Sequence, residues 1–131
     1  MTYLLDPSVL IPLLLSGHDH HAAAAAWVDG KKTATCPIVE LAFLRTATGA
    51  YKAEQSAARK TLNDFRQTDA PVFIADDLSP LDAKPFPSSK KSTDWYLSEL
   101  AAKHGMKLAT LDDGINHPAA EKIPSEHPPR Q

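Results

Sequence analysis

Cysteine is almost missing from this chain of 131 residues, where Cys36 stands alone. A single thiol excludes an internal disulfide and a cysteine-built zinc site, and it suits a reducing compartment. A membrane-spanning run is missing as well. The longest apolar stretch, residues 9–15, is interrupted by Pro12 and falls far short of the ~20 residues a bilayer requires. No basic cluster precedes that stretch, so neither a secretory leader nor a membrane anchor is expected, and the chain reads as cytoplasmic. Positive charge is not in surplus either. A formal net charge of −2 excludes a polycation that grips nucleic acid over its whole surface. It leaves room for a nuclease whose acids are gathered in a metal pocket, because setting four of them aside leaves a mildly basic remainder. Internal repeats and domain linkers are lacking too.

What remains is the composition of an ordinary globular protein, 43% hydrophobic and 23% charged, long enough for one domain with its own core. That domain is expected over residues 1–124, with 125–131 as a flexible C-terminal tail. A short apolar strand at residues 2–5 runs into Asp6-Pro7, an N-cap followed by proline at the first helical position, which starts a helix over 8–15. Residues 21–28 form an alanine-rich helix and residues 33–36 a brief buried strand. Helices over 37–51 and 52–68 follow, then a strand at 72–74. The prolines and paired serines of 76–91 predict an irregular loop. Ser92-Thr93-Asp94 reads as the cap of a helix stopped at Gly105. Residues 107–111 make the fourth strand, ended by Asp112-Asp113-Gly114. Strands alternating with helices predict an α/β domain around a mostly parallel sheet.

Four carboxylates fall where such a sheet collects its ligands, beyond the carboxyl ends of parallel strands. Asp6 follows the first strand and Asp112 the fourth. Asp94 lies in the first turn of its helix, where the dipole favours an anion. Glu40 is the one charged residue in an otherwise apolar stretch, a costly place for a carboxylate without a positive neighbour. Each has an ordinary structural reading: Asp6 as an N-cap, Asp94 as a first-turn stabiliser, Asp112 as a turn residue, Glu40 as half of a buried pair. Together they point to a cation, since clustered carboxylates repel until one neutralises them. Hard oxygen donors select Mg²⁺ or Mn²⁺ over zinc.

The order and spacing of four blocks carry a resemblance. Tyr3-Leu4-Leu5-Asp6-Pro7-Ser8-Val9-Leu10, Cys36-Pro37-Ile38-Val39-Glu40-Leu41 with Arg45, Thr93-Asp94-Trp95-Tyr96-Leu97, and Leu108-Ala109-Thr110-Leu111-Asp112 resemble the successive blocks of PIN-domain ribonucleases. His18 and His21 before Ala22–Trp27 resemble VapC-type toxins within that family. The resemblance implies a three-layer α/β/α fold with strand order 3-2-1-4-5. It also implies a metal site of Asp6, Glu40, Asp94 and Asp112, with Ser8 and Thr93 lending hydroxyls that orient the carboxylates. The implied activity is metal-dependent cleavage of single-stranded or loop RNA, in tRNA or ribosomal RNA, by an activated water. A cognate VapB-like antitoxin and a homodimer are the implied partners, with Leu14, Leu15 and Trp27 as apolar walls for the antitoxin. Rivals are a PIN nuclease of RNA processing or flap cleavage, and a PIN-fold module that binds RNA or a partner without cutting.

Pro7, Trp95, Asp113 and the short 85–89 stretch depart from the family pattern. Arg45, His18, His21, Lys90 and Lys91 are candidates for touching substrate or partner, although a rim salt bridge or a solvated loop accounts for each equally well.

Overall fold

The computed structural model describes residues 1–126. Its elements are β1 (Thr2–Leu5), α1 (Pro7–Leu14), α2 (His21–Val28), β2 (Lys32–Thr35), α3 (Pro37–Thr48), α4 (Gln55–Thr68), β3 (Val72–Phe73), α5 (Ser92–Lys103), β4 (Lys107–Thr110) and β5 (Ala120–Lys122). The five strands form one sheet in the order β3-β2-β1-β4-β5, and every pairing among them is parallel. Of the expected 125–131 tail only Ser125 and Glu126 are described, and residues 127–131 lie outside the described residues. Among the described residues no helix is long and apolar enough to cross a membrane.

The order of the strands dictates the layers. From β1 the chain steps to β2 and then to β3 in one direction, and right-handed crossovers put α1–α4 on one face. These helices pack on one another. The chain then returns to the other side of β1, so the same handedness puts α5 on the opposite face, where it packs on β4. The reversal falls between β1 and β4, which opens a crevice at their carboxyl ends. Strands covered on both faces must be apolar throughout, and Leu4, Leu5, Ala34, Leu108 and Ala109 are fully buried. Phe43, Val39, Leu97 and Leu100 meet them from the helices.

Element boundaries differ from expectation where backbone geometry intervenes. The helix expected over 37–51 stops at Thr48, and the one expected from residue 52 begins at Gln55. Lys52 has φ +54°, a left-handed conformation that cannot continue a helix. The Ser92-Thr93-Asp94 cap is not made. Lys91 holds the N-cap position without a side-chain bond, and a 3₁₀ turn at Ser89–Lys91 feeds straight into α5. The other end follows the sequence: Gly105 at φ +69°, with Gly105 N–H bonded to Ala102 O and Met106 N–H to Ala101 O, closes a Schellman motif. β5 was not expected from local pattern. Its Ala-Glu-Lys is short and only half-buried, and its pairing with β4 defines it.

Leu5 ends the central strand and is wholly buried. Leu5→Ala should cost about 2–5 kcal/mol of unfolding free energy, measured by denaturant titration. A loss below ~1 kcal/mol would mean that this strand is not the centre of the core.

Candidate metal centre

Asp6 leaves β1 as the N-cap of α1, so its structural and chemical readings coincide. Its carboxylate is almost fully buried, and all of its hydrogen bonds go to one oxygen. Oδ2 accepts from Ser8 N–H at 3.2 Å, Ser8 Oγ at 2.5 Å and Thr110 Oγ1 at 3.2 Å. Oδ1 is buried and has no partner among the described residues. The hydroxyl that gives its proton to Asp6 is itself held: Ser8 Oγ accepts from Leu111 N–H at 2.9 Å. Thr110 does the same for the next segment, accepting from Asp112 N–H at 3.0 Å. Two hydroxyls thus tie the carboxyl ends of β1 and β4 together around one aspartate.

Asp112 and Asp94 complete the cluster. The first turn of α5 delivers Asp94, and the residues after β4 deliver Asp112. One carboxylate oxygen from each of Asp6, Asp94 and Asp112 lies within 4.8 Å of the others. Lys91 Nζ stands 3.3 Å from Asp112 Oδ1. Burial pushes the Asp94 pKa up to about 6, helped by the charges of Asp6 and Asp112 and by a hydrogen bond to Asp112 that favours the protonated form, while Lys91 pulls the other way. Burial also raises Asp6, against the lowering effect of its hydroxyl and amide donors.

An orphaned buried carboxylate oxygen, two more carboxylates within reach and donors that are all hard oxygens form a set that fits a divalent cation such as Mg²⁺ or Mn²⁺. A buried acceptor without a partner is otherwise costly.

Glu40 is not in this trio. It lies at the same edge of the sheet, at the head of α3, where Thr35 Oγ1 donates to it at 2.8 Å and Arg66 approaches to 3.8 Å. Arg66, not Arg45, is therefore its counter-charge. Arg45 is exposed and makes no ion pair among the described residues. The hydroxyls that orient Asp6 are those of Ser8 and Thr110. Thr93 is exposed and bonds none of the acids. Thr110 was missed as a site residue, though a hydroxyl at the end of a strand two positions before an aspartate was the available signal. Lys91 joins the site while Lys90 stays exposed. His18 and His21 sit beyond the far end of α1, about 12 Å along its axis from Asp6. There His18 Nδ1 accepts from His20 N–H and His21 Nδ1 bonds Pro12 O. Leu14, Leu15 and Trp27 are partly buried against the core, with Trp27 edge-on to Tyr3. Among the described residues the exposed large apolar side chains are Leu41, Tyr51, Val72, Phe73, Leu81 and Phe86, with Met1.

Comparison with known proteins agrees with the geometry. The model of the PIN domain family matches residues 3–121. Ribonuclease VapC29 of Mycobacterium tuberculosis is 36% identical over 121 residues, covering 89% of this chain and 90% of its own. Ribonuclease VapC38 of the same organism is 34% identical over 122 residues, 86% of each. One chain in the crystal structure of VapBC2 from Rickettsia felis bound to a DNA fragment from their promoter superposes with a TM-score of 0.63 at 15% identity. The match covers 95% of this chain and all of that one.

A carboxyl group whose folded pKa lies above its unfolded value binds extra protons in the native state. The metal-free protein should therefore lose stability as pH rises from about 4, where an unfolded aspartate ionises, through about 6, where folded Asp94 does. Asp94→Asn should melt higher than the parent at pH 7 without metal, with a smaller fall between pH 4 and 7. A variant that melts lower at pH 7 would refute the crowded-carboxylate account.

Proposed function

The chain belongs to the PIN domain family, and from that premise we propose that it is a ribonuclease, the toxin of a VapBC-type toxin–antitoxin pair. The observation that carries the reading is the convergence of Asp6, Asp94 and Asp112 around a buried carboxylate oxygen that has no partner among the described residues. PIN nucleases depend on divalent cations, and these three aspartates would hold Mg²⁺ or Mn²⁺ here. When bound, such an ion supplies Lewis acidity at a phosphate oxygen and a water of lowered pKa for hydrolysis of the phosphodiester.

The remaining work falls to the chain itself. Ser8 and Thr110 occupy Asp6 Oδ2 and so fix the plane of its carboxylate. Lys91 places a positive charge at the rim beside Asp112, where it draws phosphate toward an otherwise repellent pocket. Ser98 Oγ bonds Asp94 O at 2.9 Å and steadies the first turn of α5. Glu40 is the outer acid of the set. Its charge is already matched by Arg66, so it shapes the edge of the pocket and is a poorer direct ligand than the aspartates. Single-stranded or loop RNA is the substrate in this reading, cut to leave a 5′-phosphate and a 3′-hydroxyl. A VapB-like antitoxin and a second copy of the chain are its partners. The relatives' names and the VapBC neighbour support the antitoxin.

Purified protein should cleave single-stranded RNA with Mg²⁺ or Mn²⁺ and stop when EDTA is added. Asp94→Asn should abolish cleavage, and Ser8→Ala should lower metal affinity or rate by about 10–100-fold. Glu40→Gln should cost less metal affinity than Asp94→Asn. Added Mg²⁺ at a hundred times its Kd should stabilise the parent by about 2.7 kcal/mol and Asp94→Asn by much less. RNA cleavage that persists in EDTA or in Asp94→Asn would overturn the assignment.

A further inference from the structure

At the start of α5 lies a cavity of about 380 Å³ whose walls include Ile38, Pro80, Phe86, Thr93, Trp95 and Tyr96, and none of Asp6, Asp94 and Asp112. Its size falls in the range of sites that take a small organic group. Thr93 and Trp95 flank Asp94 on α5, their Cα atoms about 3.8 Å from its own, so the cavity and the metal centre share the first turn of one helix. The two residues before Asp94, Ser92 and Thr93, also line the cavity, and their hydroxyls make no hydrogen bond among the described residues.

The cavity is built, not a gap under a loose loop. Residues 76–88 carry no regular element, yet three side chains of the helix side bind their backbone. Trp95 Nε1–H donates to Lys84 O at 2.8 Å, Tyr96 OH donates to Leu78 O at 2.8 Å, and Glu99 Oε1 accepts from Lys84 N–H at 2.6 Å. Glu99 is held in turn by His117 Nε2 at 2.6 Å. The indole of Trp95 rests edge-on against the His117 ring, with centroids 4.6 Å apart at 74°. The one polar atom of Trp95 is therefore satisfied and its orientation set, while its ring still lines open space. Phe86, 51% exposed, completes the wall.

We propose that this cavity is a nucleobase subsite, which stacks the base of the nucleotide adjoining the phosphodiester presented to Asp6, Asp94 and Asp112. The proposal rests on the ribonuclease reading above. Aromatic walls suit a base because every base has a π-face, and single-stranded RNA is held in this way by proteins that splay it out. The free hydroxyls of Ser92 and Thr93 can meet the polar edge of the ring, which would turn stacking into preference for one base over another.

Two tryptophans make the test internal: Trp95 lines the cavity, and Trp27 packs on Tyr3 at the amino end of β1. The indole N–H resonances of the full chain would be followed in Mg²⁺ as each of the four nucleoside 5′-monophosphates is added, with ribose 5-phosphate as the baseless probe. At least one nucleotide should move the Trp95 signal in a saturable way and leave Trp27 in place, while ribose 5-phosphate moves neither. Phe86→Ala, at a half-exposed position that the fold tolerates, should weaken that nucleotide about tenfold. In an RNA pool it should also relax the base preference next to the cut. The idea fails if ribose 5-phosphate shifts Trp95 as strongly as the nucleotides do, if no nucleotide shifts it, or if Phe86→Ala binds like the parent. RNA cleavage without any nucleotide effect at Trp95 would overturn the subsite and leave the nuclease standing. Base-dependent shifts without RNA cleavage would support the pocket and overturn the nuclease.

Discussion

The repulsion among Asp6, Asp94 and Asp112 is the constraint around which the rest of the structure is arranged. Three carboxylate oxygens within 4.8 Å of one another are a poor way to build a stable core. The fold holds them there because each is carried by a different rigid element whose position is set elsewhere. Asp6 follows the central strand, Asp112 follows its neighbour across the point where strand order reverses, and Asp94 arrives on the helix that covers the opposite face. None can retreat without moving a strand or helix whose apolar side is fully buried. Hydrophobic burial thus supplies the work of holding like charges together, a division of labour expected of a functional site in a protein of otherwise consistent local rules.

The carboxylates themselves were legible in the sequence because strand ends and helix starts have strong local signals. Asp-Pro opened α1, and Gly105 closed α5 in the expected left-handed conformation. Strand order came from resemblance to a family, since no local pattern records which strands are neighbours. Local pattern failed where tertiary pairing decides. β5 has three residues and no apolar run, and it exists because β4 offers it a parallel partner. The same limit hid Thr110 and Arg66. The strand-end hydroxyl two positions before Asp112 was a local hint of Thr110, but nothing along the chain says that it will also reach Asp6, or that an arginine twenty-six positions from Glu40 will face it.

The departures from the family pattern have structural accounts. Pro7 occupies the first helical position, where its missing N–H is not needed. Asp113 pairs with Lys122 of β5, so its charge ties the turn after β4 to the edge of the sheet instead of joining the metal centre. Trp95 is the most informative. A small residue there could neither reach Lys84 O nor rest on His117, and the 76–88 segment would lose one of the three side chains that hold it to α5.

Charge compensation separates the four acids into two kinds. Glu40 has Arg66 and the hydroxyl of Thr35, and so is close to neutral as a pair. Among the described residues the three aspartates have only Lys91, which touches Asp112 from the rim. One ammonium against three carboxylates leaves two negative charges unmatched, which is the charge of a divalent cation. Without metal the pocket eases that excess by favouring the protonated form of Asp94, whose pKa burial and the neighbouring acids push up to about 6. A fully matched pocket would bind no metal, and an entirely unmatched one would strain the fold at the reversal point of the sheet. Placing Lys91 at the rim, and not between the carboxylates, keeps the site between those limits while leaving Asp6 Oδ1 without a partner among the described residues.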